Sequence, residues 1–454
     1  MRRKREAVLS FEWSNESLPK AAREWRDRYK GISQVLDATP GVLDRVHRDL
    51  TALSQGGRGG RSADFTSETI LRALVVHAIE GLSLRETVVR IAESAFLQDF
   101  LRTRKKAVMD HTFLDKCFKA VRPRTWEAIN ERLVCQAVAL GTADASVIRT
   151  DTTAVETNIH WPTDSSLLWD LWRVASRELR RGRTIDPSSC PHRFHDRKIK
   201  KLHLVVTRYA SSRCGKRQRR VRASYRALIE RCEWMVGIVE QFCTHAAVRG
   251  GLELAAVAAE LEPMLPVMRT ITATARRAQI DGERVPASER VFSLFEPHTE
   301  LIQRGRRDRP VEFGHTVLLC QTPEKLITDY AVYARRQPDS RLAASVVDRH
   351  ETRFGQTPEV LAADKGFSPA AEPRETLARR VETLAIPRRM RDFADGVMSH
   401  WQAFRAGIEG TISGLKRAFR LSRCFYRGFS SFAAAVGLGV FSHNLVVLGK
   451  AAIA

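Results

Sequence analysis

Two aspartates in this sequence occupy positions where a carboxylate needs an explanation. Asp151 lies within ASVIRTDTTAVET, a stretch rich in β-branched residues that predicts a strand over 145–157. Asp364 directly follows VLAA, an apolar run that predicts a second, buried strand. Because burying a lone carboxylate is costly, each aspartate needs a partner, and a bound cation is one. The carboxyl end of a buried strand is also where open α/β sheets place functional groups.

A third acid, Glu409, lies between two cations on a helix predicted over 404–419, FRAGIEGTISGLKRAF. Arg405 precedes it by four residues and Lys416 follows it by seven, steps that return to nearly the same side of a helix. This stripe is typical of a solvated salt-bridge ladder. The presence of Asp151 and Asp364 favours a second interpretation, in which the helix packs on the sheet and carries Glu409 to the other two acids.

Three converging carboxylates in a basic protein predict bound divalent cations. Mg²⁺ takes hard oxygen ligands and keeps positions for water and phosphate oxygens, and Mn²⁺ is the alternative. Two such ions about 4 Å apart activate a water or a 3′-hydroxyl and stabilise the leaving oxygen of an in-line displacement. The acids therefore predict two ions per site and a reaction of phosphodiester cleavage and strand transfer.

The charge balance predicts a polyanionic partner. The chain has 454 residues, a formal net charge of +23 and a pI of about 10.2. Such an excess attracts nucleic acid, with a strong dependence on salt; the resemblance described below implies that this is double-stranded DNA. A membrane surface is the weaker alternative, because the cations are spread along the chain instead of lining one terminal amphipathic helix. The apolar run from Phe432 contains Ser442, His443 and Asn444, which predicts a buried helix instead of a membrane span.

The N-terminus and the cysteines predict a cytoplasmic location. The basic start has no apolar run after it, so a secretory signal is not expected. The eight cysteines include no C-x-x-C pair, which predicts reduced thiols. Zinc is the weaker alternative, because the spacing C-x-H-x2-H-x18-C fits no common pattern; its residues are Cys190, His192, His195 and Cys214.

The pattern along the chain predicts three regions. Residues 1–65 form a basic segment that ends in a Gly-rich linker, residues 66–140 are helical, and residues 141–454 hold the predicted strands. In the helical region Ser83 is a predicted cap, and the helix pair around it is either a DNA-binding helix-turn-helix or a bundle for packing and dimerisation. A basic helical insertion at about 158–289 predicts contact with a nucleic acid backbone or a solvated charged face.

Further strands are expected after the insertion. VFSLFEPHTE predicts one over 291–300, and VEFGHTVLLCQ and KLITDYAVYA predict an antiparallel hairpin. A helix ending at Gly355 then leads to the strand before Asp364. Another helix, the short strand VETLAIP and the helix of Glu409 complete the predicted order.

These features resemble the DDE transposases of bacterial insertion sequences. The motifs that carry the resemblance are IRTDTT, NIHWPTDSSLLWD, FEPHTE, EFGH, LAADKGF and the R-x3-E-x6-K helix, in this order. The resemblance implies an α/β RNase H-like catalytic core, a mixed sheet flanked by helices, with a large helical insertion after the first strand and an all-α N-terminal region. It also implies that Asp151, Asp364 and Glu409 are the catalytic, metal-binding triad, and that Arg405 and Lys416 contact DNA phosphates.

The activity implied by the resemblance is transposition. Such an enzyme binds the terminal inverted repeats of its element, hydrolyses a phosphodiester at each end and joins the 3′-hydroxyl to target DNA. Pairing two ends implies a homodimer or a larger assembly, associated with the bacterial nucleoid. One position departs from the family pattern, because related enzymes have a tyrosine three residues before the arginine and this chain has Gln402. This departure puts a tyrosine contact to the DNA end in doubt.

Other residues and functions remain as alternatives. Asp329 competes with Asp364, and Glu156 is predicted to face away from Asp151. Additional phosphate contacts are predicted at Arg388, Arg389 and Arg391. His298 and His315 are candidates for helper residues near the site. Three tryptophans are candidates for stacking on an unpaired base: Trp161, Trp169 and Trp172. Packing in the protein core is the alternative for these histidines and tryptophans. The alternative functions are a non-catalytic DNA-binding protein derived from a transposase, an RNase H-like nuclease without strand transfer, and a basic structural protein.

Overall fold

The computed structural model describes residues 2–5, 17–55, 65–103, 109–303, 310–388 and 396–453. The chain forms two compact units, one of residues 1–158 and 314–454 and one of residues 159–313. The second unit begins where the helical insertion was expected to begin, and it extends past the expected end at 289. The boundaries expected at 65 and 140 fall inside the first unit.

The N-terminal part of the first unit is helical. Side-chain caps start several of its helices: the Thr66 hydroxyl accepts a hydrogen bond from the Thr69 amide, and Ser83, the predicted cap, forms a capping box with Glu86. The helices are α1 (Lys20–Ala38), α2 (Pro40–Gln55), α3 (Ser67–Glu80), α4 (Leu84–Glu93), α5 (Ala95–Phe100), α6 (His111–Ala120) and α7 (Pro123–Ala139).

The helix pair around Ser83 consists of α3 and α4. α3 is buried along nearly its whole length, and its Arg72 guanidinium is paired with Glu68 and Asp37. α4 leaves Arg85 and Arg90 exposed. α3 is therefore a packing helix, and DNA binding by α4 stays a prediction.

The strands form a mixed β-sheet, which confirms the expected α/β fold with helices around a mixed sheet. The order is β4–β3–β1–β5–β6, and β7 pairs with β1. β3 runs antiparallel to β1 and β4, whereas β5 runs parallel to β1 and β6. The strands are β1 (Val147–Thr157), β2 (Glu300–Gln303), β3 (Val311–Gln321), β4 (Ile327–Val332), β5 (Val360–Ala362), β6 (Thr383–Ala385) and β7 (Arg423–Cys424).

The second unit has a helical core of its own. Apolar residues repeat along one side of each helix and meet in a cluster that includes Leu168, Leu228, Ile229 and Met268, all fully buried. The helices are α8 (Asp164–Ile185), α9 (Asp196–Tyr209), α10 (Gly215–Arg249), α11 (Leu252–Leu261) and α12 (Leu265–Gln279).

Four more helices complete the first unit: α13 (Leu342–Phe354), α14 (Ala371–Arg380), α15 (Gly396–Ala418) and α16 (Phe429–Ile453). α13 ends at Gly355 as predicted, since a φ of +76° favours glycine. α16 is long and apolar enough to cross a membrane, but 72% of its apolar window is buried and it packs against α1, α3 and α7. The predicted buried helix is confirmed.

Two predicted elements differ from the structure. The prediction of a strand over 291–300 is wrong for residues 291–299, and β2 begins at Glu300. The Ser293 hydroxyl there accepts hydrogen bonds from the amides of Phe295 and Glu296, and Pro297 has no amide to donate, so local turns replace the strand. The helix predicted over 404–419 begins earlier, at Gly396.

Candidate active site

Asp151 is held in the middle of β1. It pairs with Leu319 of β3, and its side chain is 14% exposed. One carboxylate oxygen, Oδ1, accepts a hydrogen bond of 2.7 Å from the Thr152 amide, and Oδ2 accepts one of 3.1 Å from Arg405 Nη2. Asp151 is therefore largely buried, with a single guanidinium bonded to it.

Asp364 stands two residues beyond β5, where the chain leaves the sheet in a short 3₁₀ turn. β5 is parallel to β1, and its Ala362 pairs with Arg149, two residues before Asp151. Asp364 Oδ1 is buried and has no hydrogen-bond partner among the described residues. Because an unpaired buried oxygen is costly, this atom is suited to hold a cation.

Asp339 is a carboxylate of this site that sequence analysis missed. Its Oδ1 accepts a hydrogen bond of 3.2 Å from the Thr152 hydroxyl. A Cβ placed on Gly366 would lie 3.0 Å from Asp364 Oδ1 and 3.7 Å from Asp339 Oδ2, so the two carboxylates flank the same glycine. Asp339 begins the turn before α13, and aspartate is common in turns for local reasons. Nothing in the local sequence distinguishes it from such a turn residue.

α15 is docked on β1 through Arg149. Its Nη1 donates a hydrogen bond of 2.7 Å to the Phe404 carbonyl, and its Nε donates one of 2.9 Å to Gln321 Oε1. A Cβ on Gly407 would lie 2.2 Å from Arg149 Nη1, so any larger residue at 407 would require the Arg149 guanidinium to shift. This contact fixes the turn of α15 that precedes Glu409.

Arg405 joins Glu409 to Asp151. Its Nη1 donates a hydrogen bond of 2.9 Å to Glu409 Oε1, while Nη2 bonds Asp151. The i,i+4 ion pair of the ladder interpretation is thus present, and the same guanidinium brings Glu409 to the sheet acids. Glu409 itself is 65% exposed. Lys416 is half-buried and lies about 10 Å farther along the helix axis.

The pKa of Asp151 is raised mainly by burial. Together with the smaller raising effects of the Asp364 and Asp339 charges, and against the lowering effects of Arg405 and the Thr152 amide, burial brings this pKa to about 6. Asp151 therefore binds a proton more readily than an exposed aspartate does.

The donors fit a hard divalent cation in their chemistry. Asp151, Asp339, Asp364 and Glu409 offer carboxylate oxygens, and Asp364 Oδ1 is buried without a partner. Within the described ranges, no three His, Cys, Asp or Glu side chains are grouped closely enough to hold a metal as they stand. Arg405 lies between Asp151 and Glu409, so metal binding requires that its guanidinium give way.

Gln402 lies on α15, three residues before Arg405. Its Nε2 donates to two backbone carbonyls, Ala363 and Ala385, each at 3.1 Å. Ala363 follows β5 and immediately precedes Asp364, and Ala385 is the last residue of β6. Gln402 therefore ties α15 to the strand end that carries Asp364.

The remaining predicted cations are only partly described. Arg388 is exposed just beyond β6. Arg389 and Arg391 lie outside the described residues.

The competing acids have partners of their own. Asp329 forms ion pairs of 2.8 Å with Arg349 and 3.0 Å with Arg353, both on α13. Glu156 accepts hydrogen bonds from Arg423 on β7. Both acids thus serve in packing between elements.

The histidine and tryptophan candidates differ in how deeply they are buried. His315 is fully buried between two phenylalanine rings, and His298 Nε2 lies 2.7 Å from Glu296 Oε2. Trp172 is buried and Trp169 stacks on His203, whereas Trp161 is 65% exposed beside Phe313. Core packing accounts for Trp172 and His315.

Comparison of this chain with family models, with curated proteins and with solved structures finds no match in any of the three.

Proposed function

We propose that this protein is a metal-dependent DNA transposase that cleaves a phosphodiester at each end of its element and transfers the 3′-hydroxyl to target DNA. The observation that carries the proposal is the meeting of Asp151 and Asp364 at adjoining strands, with Glu409 joined to Asp151 through Arg405. Asp151 and Asp364 are separated by more than two hundred residues in sequence.

The sheet order supports the same proposal. A central first strand pairs on one side with an antiparallel hairpin and on the other with parallel strands connected through helices. In the RNase H-like fold that we propose, acids of the central strand and of the neighbouring parallel strand end lie together, and a helix after the last strand brings the third. The locations of Asp151 on β1, of Asp364 after β5 and of Glu409 on α15 support this proposal.

The proposed chemistry has two steps. In the first, a water oxygen bonds to phosphorus, the bond to the 3′-oxygen breaks, and that oxygen takes a proton to become a hydroxyl. In the second, this hydroxyl oxygen bonds to a phosphorus of the target, and the target's own 3′-oxygen leaves with a proton. Two Mg²⁺ or Mn²⁺ ions held by the acids would supply charge stabilisation at the attacking and leaving oxygens.

The protein's own groups position this site. The Thr152 amide fixes one oxygen of Asp151, and Gln402 fixes the backbone before Asp364. Arg405 forms ion pairs with both Asp151 and Glu409 in the structure. We infer that Arg405 exchanges these partners for a DNA phosphate when metal and substrate bind.

Cleavage assays test the proposal. Labelled DNA that carries both ends of the encoding element is incubated with Mg²⁺ or Mn²⁺ and the full chain. Asp151→Asn, Asp364→Asn and Glu409→Gln should each lower cleavage about a thousandfold, because several kcal/mol of transition-state stabilisation is lost. Glu156→Gln, on the same strand as Asp151 but paired with Arg423, is the matched control and should cleave nearly as well as the parent.

Cleavage that persists in the Asp151→Asn variant contradicts the proposal. Cleavage without joined product supports a nuclease instead. A non-catalytic DNA-binding protein is the second candidate, and one observation favours it: the Arg405 guanidinium fills the space between Asp151 and Glu409. Binding without any cleavage by the intact protein would support that candidate.

A further inference from the structure

The second unit carries a stretch of chain without any acidic residue. From residue 197 to residue 229 there are twelve Lys and Arg residues and no Asp or Glu. The stretch runs from α9 through the connection 210–214 into the first half of α10, and we call it the basic hairpin. Its cations are Arg197, Lys198, Lys200, Lys201, Arg208, Arg213, Lys216, Arg217, Arg219, Arg220, Arg222 and Arg226.

All twelve cations are on the surface. Each is exposed, whereas the apolar residues of the same helices, such as Ile199, Val206, Val221 and Leu228, are buried in the core of the unit. The packing of the hairpin thus leaves its entire basic face to solvent. Among the described residues, no carboxylate lies within salt-bridge distance of any of the twelve.

Other arginines of the same unit are neutralised. Ion pairs of 2.6–2.9 Å join Arg276 to Glu233, Arg181 to Glu260 and Arg180 to Asp196. The unit therefore pairs its cations where acids are present, and the basic hairpin keeps a concentrated positive charge. Like charges repel, although solvent weakens the repulsion between exposed groups, and a bound polyanion would relieve what remains.

Local geometry holds part of this charge in place. The guanidinium carbons of Arg217 and Arg220 lie over the Tyr209 ring, 5.5 and 5.7 Å from its centre. α10 also begins with cations and has no acid in its first turn, although a helix N-terminus favours negative charge. The amides and side chains at this end together form a surface suited to anions.

We propose that the basic hairpin binds the phosphate backbone of double-stranded DNA without reading its sequence, through residues other than those of the acidic site (Asp151, Asp339, Asp364 and Glu409). The inference rests on the proposed function, since it supplies a transposase with a DNA contact that takes no part in the cleavage reaction. From Lys216 to Arg226 the cations follow about 15 Å of a rigid helix. That length matches several phosphates of a duplex, which carries a charge every 1.7 Å or so of its axis.

Other polyanions fit this surface less well. Single-stranded nucleic acid is bound by exposed aromatic rings as well as by cations, and Tyr209 is half-buried with two arginines on it. A lipid surface requires apolar residues beside the cations, and Leu204 is the one large apolar residue described as exposed in the basic hairpin.

The first test measures how DNA binding depends on salt. A duplex of unrelated sequence is titrated in EDTA, so that cleavage does not interfere. Replacing Arg217, Arg219 and Arg220 by Gln should reduce the slope of log affinity against log salt by roughly 2–3, since each lost phosphate contact contributes about 0.9. The matched control replaces Arg231, Arg249 and Arg284 by Gln, which are exposed elsewhere in the unit and remove the same charge.

The second test uses Cys214, which lies in the middle of the basic hairpin. This thiol is exposed, and hydrogen bonds from the Arg217 and Lys216 amides lower its pKa, so it should be alkylated readily. The duplex should slow its alkylation severalfold, and Cys214→Ser identifies the labelled site.

Four outcomes would overturn the inference. The two triple variants could show equal salt slopes, or saturating duplex could leave the rate of Cys214 alkylation unchanged. The protein could also bind a single strand of the same length more tightly than the duplex, or the basic hairpin could be needed only for binding to anionic phospholipid vesicles. If the expected binding results are obtained but the intact protein does not cleave DNA, the proposed function is contradicted and this inference is not, because the binding tests require no metal or reaction.

Discussion

The acidic site and the basic hairpin hold unbalanced charge in opposite ways. At the acidic site a few carboxylates are gathered from distant parts of the chain, and burial together with the charges of Asp364 and Asp339 raises the pKa of Asp151. In the basic hairpin many cations are adjacent in sequence and exposed, so solvent screens them from one another. The acidic site should therefore respond to single substitutions and to pH. The basic hairpin should respond to the number of its cations and to the salt concentration.

The largest expected effect concerns metal binding at the acidic site. Asp151→Asn and Asp364→Asn should each weaken Mn²⁺ binding at least about a hundredfold, because each removes a ligand. The affinity of the parent should rise with pH up to about 6 and then level, since the ion displaces the proton of Asp151. Calorimetric titration at several pH values measures both. Equal Mn²⁺ affinity in the parent and in the Asp151→Asn variant would contradict the proposed metal site. The Arg217→Gln variant, in the basic hairpin, is the control.

The next effect is on stability in the absence of metal. Asp151 binds its proton more tightly in the folded chain, with a pKa of about 6, than in the unfolded chain. Its contribution to stability is therefore greatest below the unfolded value near 4 and is lost as pH rises through about 6, by about 3 kcal/mol in total. Urea denaturation should show Asp151→Asn gaining stability relative to the parent between pH 4 and pH 7. A difference that does not change with pH would contradict this.

A smaller effect is expected at Gln402, which contributes structure to the acidic site without charge. Gln402→Met keeps the volume but leaves the carbonyls of Ala363 and Ala385 without this donor, which should cost about 1–3 kcal/mol in the free energy of unfolding. Gln402→Tyr should also destabilise, since one hydroxyl cannot donate to both carbonyls. Full stability of both variants in chemical denaturation would show that these hydrogen bonds are dispensable.

The smallest effect is expected in the basic hairpin. Replacing Arg217, Arg219 and Arg220 by Gln should change the free energy of unfolding by less than about 1 kcal/mol, and toward greater stability, because cations at a helix N-terminus are unfavourable. Chemical denaturation without DNA measures it. A loss of about 2 kcal/mol or more would mean that these side chains are part of the packing and that the contrast between the two regions does not hold.

Local elements were largely predictable from the sequence. β1, the β3–β4 hairpin, the capping box at Ser83 and the end of α13 at Gly355 all follow from neighbouring residues. The strand expected over 291–300 failed because the Ser293 hydroxyl bonds nearby amides, a competition that β-propensity does not include.

The candidate site was predictable only in part. Asp151, Asp364 and Glu409 were chosen because each is an acid at a conspicuous place in a strand or helix. Asp339 was missed because nothing beside it in sequence marks it, and its partner Thr152 is 187 residues away. The position of Arg405 between two acids was also not predicted, since its i,i+4 spacing identifies Glu409 as a partner but contains no information about Asp151.

The sequence by itself determined which residues could act and how each is placed on its own strand or helix, because strand and helix periodicities depend on neighbours a few residues apart. It also determined the basic hairpin, whose cations are adjacent along the chain. Only the tertiary structure decided that Asp151, Asp339 and Asp364 share one site, that Arg405 joins Glu409 to it and that Gln402 holds the end of β5. These contacts arise from strand pairing and from the docking of α15, which bring together residues that no local pattern connects.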